Sequence, residues 1–133
     1  MRYIIDGQPV PLARARISGN RCYDSQKQHK LAYGFVLQQQ HGKEPVYDFP
    51  LHLDATFYFN RPLQQMNRKS SAMKRHKETG SPHFYKPDLD NLIKWILDCG
   101  NGILFKDDCL IWSIAAKKIY GEPARTEFEL REL

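Results

Sequence analysis

Two pairs of aspartates and a lysine fall within residues 86–111, KPDLDNLIKWILDCGNGILFKDDCLI. Asp88 and Asp90 stand one residue apart near its start, Asp107 and Asp108 are adjacent near its end, and Lys94 follows Asp90 by four residues. Carboxylates gathered in one small volume repel each other: two unit charges about 4 Å apart cost roughly 4 kcal/mol at an effective dielectric near 20. A divalent cation removes that repulsion, and hard oxygen donors are what Mg²⁺ prefers. A lysine beside such a site can hold a phosphate as a point charge. The bland reading of Asp-x-Asp at a helix start is a solvated cap, because acidic residues complement the helix dipole. The second aspartate pair and the lysine favour a site.

These side chains need a scaffold, and the same stretch supplies part of it. Leu92, Ile93, Ile96 and Leu97 recur at helical spacing with Trp95 beside them. Pro87 is expected in the first helical turn, where no amide hydrogen is needed. Gly100-Asn101-Gly102 stops the helix with residues that tolerate positive φ. The chain is then expected to turn back toward the helix start and bring Asp107 or Asp108 near Asp88 and Asp90.

Asp88-Leu89-Asp90-Asn91-Leu92, Lys94, Leu97-Asp98, Asn101-Gly102-Ile103 and Asp107-Asp108 together resemble the signature of RusA-type Holliday-junction resolvases. The resemblance is dense over 86–111 and extends to the order of elements over most of the chain. It implies a homodimeric endodeoxyribonuclease that depends on Mg²⁺, with Mn²⁺ able to replace it, and cuts symmetrically across four-way DNA junctions in recombination and repair. It places the metal ligands at Asp88, Asp90 and Asp108 and the active-site lysine at Lys94. In that role the bound metal activates a water and stabilises charge on the scissile phosphate. Asp107 is a supporting group on this reading, and Asp98 is left to salt bridging or helix packing. The competing class is a non-catalytic DNA-binding or replication-accessory module with a structural acidic cluster. A restriction-type nuclease is set aside, since no Asp or Glu two residues before a lysine follows Pro87-Asp88 within the next 30 residues.

The composition agrees with a polyanionic partner. Twenty Lys and Arg against fifteen Asp and Glu give a formal charge of +5, which favours nucleic acid without specifying it. Arg14, Arg16 and Arg21 carry three charges within eight residues and are expected to flank the site on phosphates. Residues 61–86 hold seven Lys or Arg (Arg61, Arg68, Lys69, Lys74, Arg75, Lys77 and Lys86) against one acidic residue, Glu78. This basic loop runs directly into the carboxylates and reads as a DNA-binding arm, with a short helix at Ser70–His76. Three cysteines without Cys-x-x-Cys spacing exclude a disulfide framework and a structural zinc site, and buried free thiols are expected. No long apolar run or leader pattern is present, so the expected setting is the cytoplasm of a bacterium or of a phage host, with no membrane partner.

The remaining segments complete the fold expectation. Arg2–Asp6 reads as a strand ended by Asp6-Gly7, and residues 8–16 are too proline-punctuated for a helix. Ser25–Gln40 reads as a helix capped by Asp24 or Ser25, with Leu31, Tyr33, Phe35, Val36 and Leu37 on its buried side and His29 and His41 exposed near its ends. Pro50–Asn60 alternates cleanly, with Leu51, Leu53, Ala55, Phe57 and Phe59 on one face and Asp54 on the other. Leu110–Tyr120 and Arg125–Leu133 read as strands that form a hairpin around Gly121-Glu122-Pro123. The expected fold class is α+β: a small mixed β-sheet with two main helices packed on one face, RusA-like, as a single domain over 1–133.

Overall fold

The structure is a computed structural model that describes residues 1–13, 16–19, 21–62 and 78–132, without the side chains of 16–18 and 21–23. Strands β1 (Arg2–Asp6), β2 (Arg16–Ser18) and β3 (Arg21–Tyr23) precede helix α1 (Lys27–His41). Strand β4 (Leu51–Phe59) is followed by helix α2 (Leu89–Gly100), strand β5 (Ile111–Tyr120) and strand β6 (Arg125–Glu132). The main sheet has the order β1-β6-β4-β5, with β4 and β5 parallel and the other pairs antiparallel. With two helices on a mixed sheet, the class is α+β as expected. The hairpin β2–β3 is an addition to it: three-residue strands offer too few alternations to stand out from a loop.

Strand β4 is central because its alternation buries one whole face. Leu51, Leu53, Ala55, Phe57 and Phe59 all lie in the core with Leu92, Trp95 and Ile96 of α2, Tyr33 and Leu37 of α1, and Phe128 and Leu130 of β6. Through the parallel pairing of β4 with β5, β4–α2–β5 becomes a crossover unit that lays α2 on the sheet. That crossover overturns the expected hairpin of the last two strands, because β4 lies between β5 and β6. Residues 121–124 cross the end of β4 instead. The Gly121 amide donates to the Phe59 carbonyl at 2.9 Å, and the Ala124 amide donates to Asn60 Oδ1 at 3.0 Å. A Cβ on Gly121 would stand 2.6 Å from Tyr58 Cδ1, so this passage requires glycine.

Helix α1 departs from its expected face. Its buried residues are Tyr33, Gly34, Leu37 and His41, whereas Leu31, Phe35 and Val36 are exposed. Gly34 approaches Ile103 so closely that a Cβ would lie 2.9 Å from its Cδ1. The helix makes no side-chain cap hydrogen bond; Asp24 Oδ1 accepts from the Gln26 amide just ahead of it. His41 is buried rather than exposed, with both ring nitrogens satisfied by the Tyr3 hydroxyl at 2.7 Å and the Pro45 carbonyl at 2.9 Å. His29 is exposed and meets Trp95 edge-on. Of the cysteines with described side chains, Cys99 is buried, its thiol pushed up to about 12 by desolvation, and Cys109 is exposed, against the expectation of burial.

Trp95 anchors α2. It is 1% exposed and meets Tyr33 edge-on at 5.6 Å between ring centroids. Truncating such a side chain removes transfer energy and leaves a cavity, so Trp95→Ala should cost about 3–5 kcal/mol, lowering Tm by roughly 10 °C or more. Trp112, 60% exposed on β5, is the control: its alanine variant should stay within about 0.5 kcal/mol of the parent. Thermal melts followed by circular dichroism compare the two.

Candidate functional site

Helix α2 begins later than the sequence pattern suggests. Asp88 is its N-cap in extended backbone, and Pro87, joined to Lys86 by a cis peptide bond, precedes the cap instead of filling the first turn. Asp90 lies in the first helical turn. The acidic start of the helix is bracketed by lysines: Lys86 Nζ lies 3.7 Å from Asp88 Oδ2, and Lys94 Nζ lies 3.8 Å from Asp90 Oδ2. All four side chains are more than half exposed. Exposed pairs of this kind contribute about 0.2–1 kcal/mol, so either lysine can leave its carboxylate for a phosphate at little cost.

Lys118 supports the helix start from β5. Its Nζ donates to the carbonyls of Tyr85 and Pro87, both at 2.7 Å, and fixes the backbone leading into Asp88. Partial burial lowers its pKa, while the nearby Asp88 charge opposes that shift. The sequence does carry a trace of this residue. Lys118 is paired with Phe57, on the face that Ala116 and Tyr120 share with β4, where a charged side chain breaks an apolar alternation.

From the other side, the segment ahead of the β2–β3 hairpin docks on the same turn. The Leu12 amide donates to the Asn91 carbonyl at 2.9 Å. Gln26 clamps the segment, accepting from the Ala13 amide and donating to the Pro11 carbonyl. The β2–β3 hairpin, which carries Arg16 and Arg21, follows this segment in the chain, with Arg16 opposite Tyr23 and Arg21 opposite Ser18 in its register. Lys86 is the one member of the expected DNA-binding set with a described side chain. Arg14, Arg68, Lys69, Lys74, Arg75 and Lys77, with the expected helix at Ser70–His76, lie outside the described residues.

The second aspartate pair sits in a 3-10 turn, Asp108–Leu110, with Asp107 extended in front of it. The strand therefore begins after the pair rather than running back through it. Both carboxylates are exposed and they face each other. Their mutual hydrogen bond lowers the Asp107 pKa, helped by the Cys109 thiol 3.5 Å from Asp107 Oδ2. The same hydrogen bond raises the pKa of Asp108, with partial burial and the charges of Asp107 and Asp98 adding to the rise. The chain after α2 folds back on the end of the helix, where the Leu104 amide donates to Gly100, rather than on its start. Among the described residues no three His, Cys, Asp or Glu side chains lie close enough to hold a metal ion. Asp98 takes the salt-bridging role expected of it, 2.6 Å from Lys30 Nζ, which also binds Asp24. Asp54 pairs with Arg131 on the outer face of the sheet.

An α+β sheet whose crossover helix opens with lysine-flanked carboxylates suits chemistry on phosphodiesters. The family model for the endodeoxyribonuclease RusA matches residues 6–131. The chain belongs to the RusA family and is an endodeoxyribonuclease, a resolvase of Holliday junctions, rather than a non-catalytic DNA-binding or replication-accessory module. Its relatives include the uncharacterized protein YqaN of Bacillus subtilis (strain 168), 27% identical with all of this chain and 96% of that protein covered. Nucleases of the family act on branched DNA and depend on divalent metal in general. Among the described residues no helix is long and apolar enough to cross a membrane.

Proposed function

We propose that this chain, as a single endonuclease domain over 1–133, resolves four-way junctions by paired symmetric hydrolysis that depends on Mg²⁺, with Mn²⁺ able to replace it. The setting is recombination and repair in the cytoplasm of a bacterium or a phage host. Asp88, Asp90 and Asp108 are the metal ligands on this reading. Their donor chemistry, hard carboxylate oxygen, fits such an ion, while the described residues of the chain hold no group of three such donors close enough for a metal. The ion, when bound, supplies a water of lowered pKa and neutralises charge on the phosphate.

The residues of the chain have separate tasks. Lys94 exchanges Asp90 for a non-bridging phosphate oxygen, and Lys86 does the same from Asp88. Lys118 keeps the backbone of 85–87 in place while they do so. Arg14, Arg16, Arg21, Arg68, Lys69, Lys74, Arg75 and Lys77 hold the arms of the junction by their phosphates, which makes affinity fall steeply with salt. The observation that carries this reading is the acidic first turn of α2 with a lysine within 4 Å of each carboxylate. The experiment is incubation of the pure protein with a synthetic mobile four-way junction, with and without Mg²⁺, followed by mapping of the cuts. Paired symmetric cuts only with metal are expected; a junction left intact in Mg²⁺ and Mn²⁺ overturns the reading.

Two further results follow from these assignments. Symmetric resolution needs two sites, and two-fold pairs are the commonest closed assemblies, so light scattering at micromolar concentration should give a homodimer. A monomer that still cuts junctions would contradict this. Lys94→Ala should slow single-turnover cleavage by about 10²-fold and weaken gel-shift affinity only a few-fold, since many other basic residues share the binding. Equal losses in both would reduce Lys94 to one phosphate contact among many.

A further inference from the structure

Beside the start of α2 lies a cavity of about 260 Å³. Its lining includes Phe59, Asn60, His83, Tyr85, Lys86 and Tyr120. Lys86 also reaches Asp88, so cavity and carboxylates share a residue. The His83 ring lies flat on Phe59, with centroids 4.0 Å apart and planes inclined by 15°, and meets Tyr120 edge-on at 5.1 Å. The Lys118 hydrogen bonds to the Tyr85 and Pro87 carbonyls hold the wall between cavity and helix. Such a preformed wall costs little ordering when a ligand enters.

The lining asks for a flat ring. Burial, with the Lys118 charge, lowers the His83 pKa and favours the neutral ring. The volume falls just below the roughly 300 Å³ at which sites for drug-sized ligands begin. It suits one heterocycle.

We propose that this cavity receives a single unstacked base from the branch point of the DNA. The proposal rests on the reading of the chain as a junction nuclease and adds to it a means of telling a junction from a duplex. Bases in a duplex are stacked on both sides, whereas extruding a base costs least where pairing or stacking is already broken. The exposed Tyr85 ring in the lining then receives the base whatever its sequence, because every base has a π-face. The neighbouring Asp88 puts the captured nucleotide beside the carboxylates, so branch recognition and cleavage are adjacent.

The test uses the full chain with four-way junctions that carry 5-iododeoxyuridine at one branch-point position at a time, irradiated in EDTA and mapped by peptide mass spectrometry. Cross-links from a branch-point base to the peptide 78–86 are expected, and none from the same base in the middle of an arm. Tyr85, 46% exposed, can be truncated without disturbing the core. Tyr85→Ala should weaken junction affinity about tenfold and duplex affinity less than twofold, and Tyr85→Phe should restore it. Cross-links confined to other segments, or equal losses for junction and duplex, overturn the proposal. Cleavage of the unmodified junction in Mg²⁺ is scored separately. A protein that cuts without cross-linking in the cavity defeats this proposal alone; one that cross-links there without cutting defeats the catalytic reading alone.

Discussion

Asp90→Asn should abolish junction cleavage and leave junction binding intact or tighter. The substitution is nearly isosteric, and the Asp90 side chain is 67% exposed with Lys94 at 3.8 Å as its ion-pair partner. The fold therefore loses only an exposed i,i+4 pair and a helix-dipole interaction, each about 0.3–1 kcal/mol. The chemistry loses far more. A catalytic metal contributes several kcal/mol of charge stabilisation in the transition state, and each 1.36 kcal/mol is a factor of ten in rate. A site deprived of one ligand charge should slow by about 10³-fold or more. Binding moves the other way, because removing one of fifteen acidic groups takes the formal charge from +5 to +6 and Lys94 is released toward phosphate. Single-turnover cleavage beside a gel-shift titration separates the two, with circular dichroism as the folding control. A folded variant that no longer binds junctions would show that this carboxylate positions DNA and does not serve a metal.

How far the sequence reveals this site depends on the range of each signal. Strand β4 is legible because nine residues alternate without interruption and the period-2 signal is local. The body of α2 is legible for the same reason at period 3.6, and its Asp-x-Asp start and Lys94 lie within about two turns. Partner choice in the sheet is not local. A short turn between β5 and β6 looks like a hairpin, but the β4–α2–β5 crossover has already claimed the neighbouring edge. The face of α1 is hidden for a different reason. Its buried stripe runs through Gly34 and His41, one needed for close approach and the other satisfied by Tyr3 and Pro45, and neither registers as apolar. Lys118 escapes notice because its task is to hold the carbonyls of residues 85 and 87, some thirty positions away.

Of the adjacent aspartates, Asp108→Asn should cost about 10³-fold in single-turnover cleavage, on the same metal-ligand reasoning, and Asp107→Asn less than about tenfold. The resemblance to the family signature assigns the last ligand to the second aspartate of this pair. Strand alternation would have added a second argument by sending the two side chains to opposite faces, but the pair stands in a 3-10 turn ahead of β5, and that argument falls away. The turn offers another in its place. Asp107 is occupied locally: its carboxylate takes the Cys109 thiol and is favoured in its charged form by the neighbouring amides. Asp108 has the opposite character. Its pKa is raised first by the hydrogen bond it shares with Asp107, then by partial burial and the charges of Asp107 and Asp98, and a cation relieves the charge crowding. Asp107→Asn should therefore loosen the turn and cost a little activity, while Asp108→Asn removes the carboxylate proposed above as the metal ligand. Isothermal titration with Mn²⁺ gives a readout apart from activity: binding should weaken with Asp108→Asn and persist with Asp107→Asn. If Asp107→Asn is inactive and Asp108→Asn still cuts junctions near the parental rate, the two roles are reversed and the family assignment fails at this position.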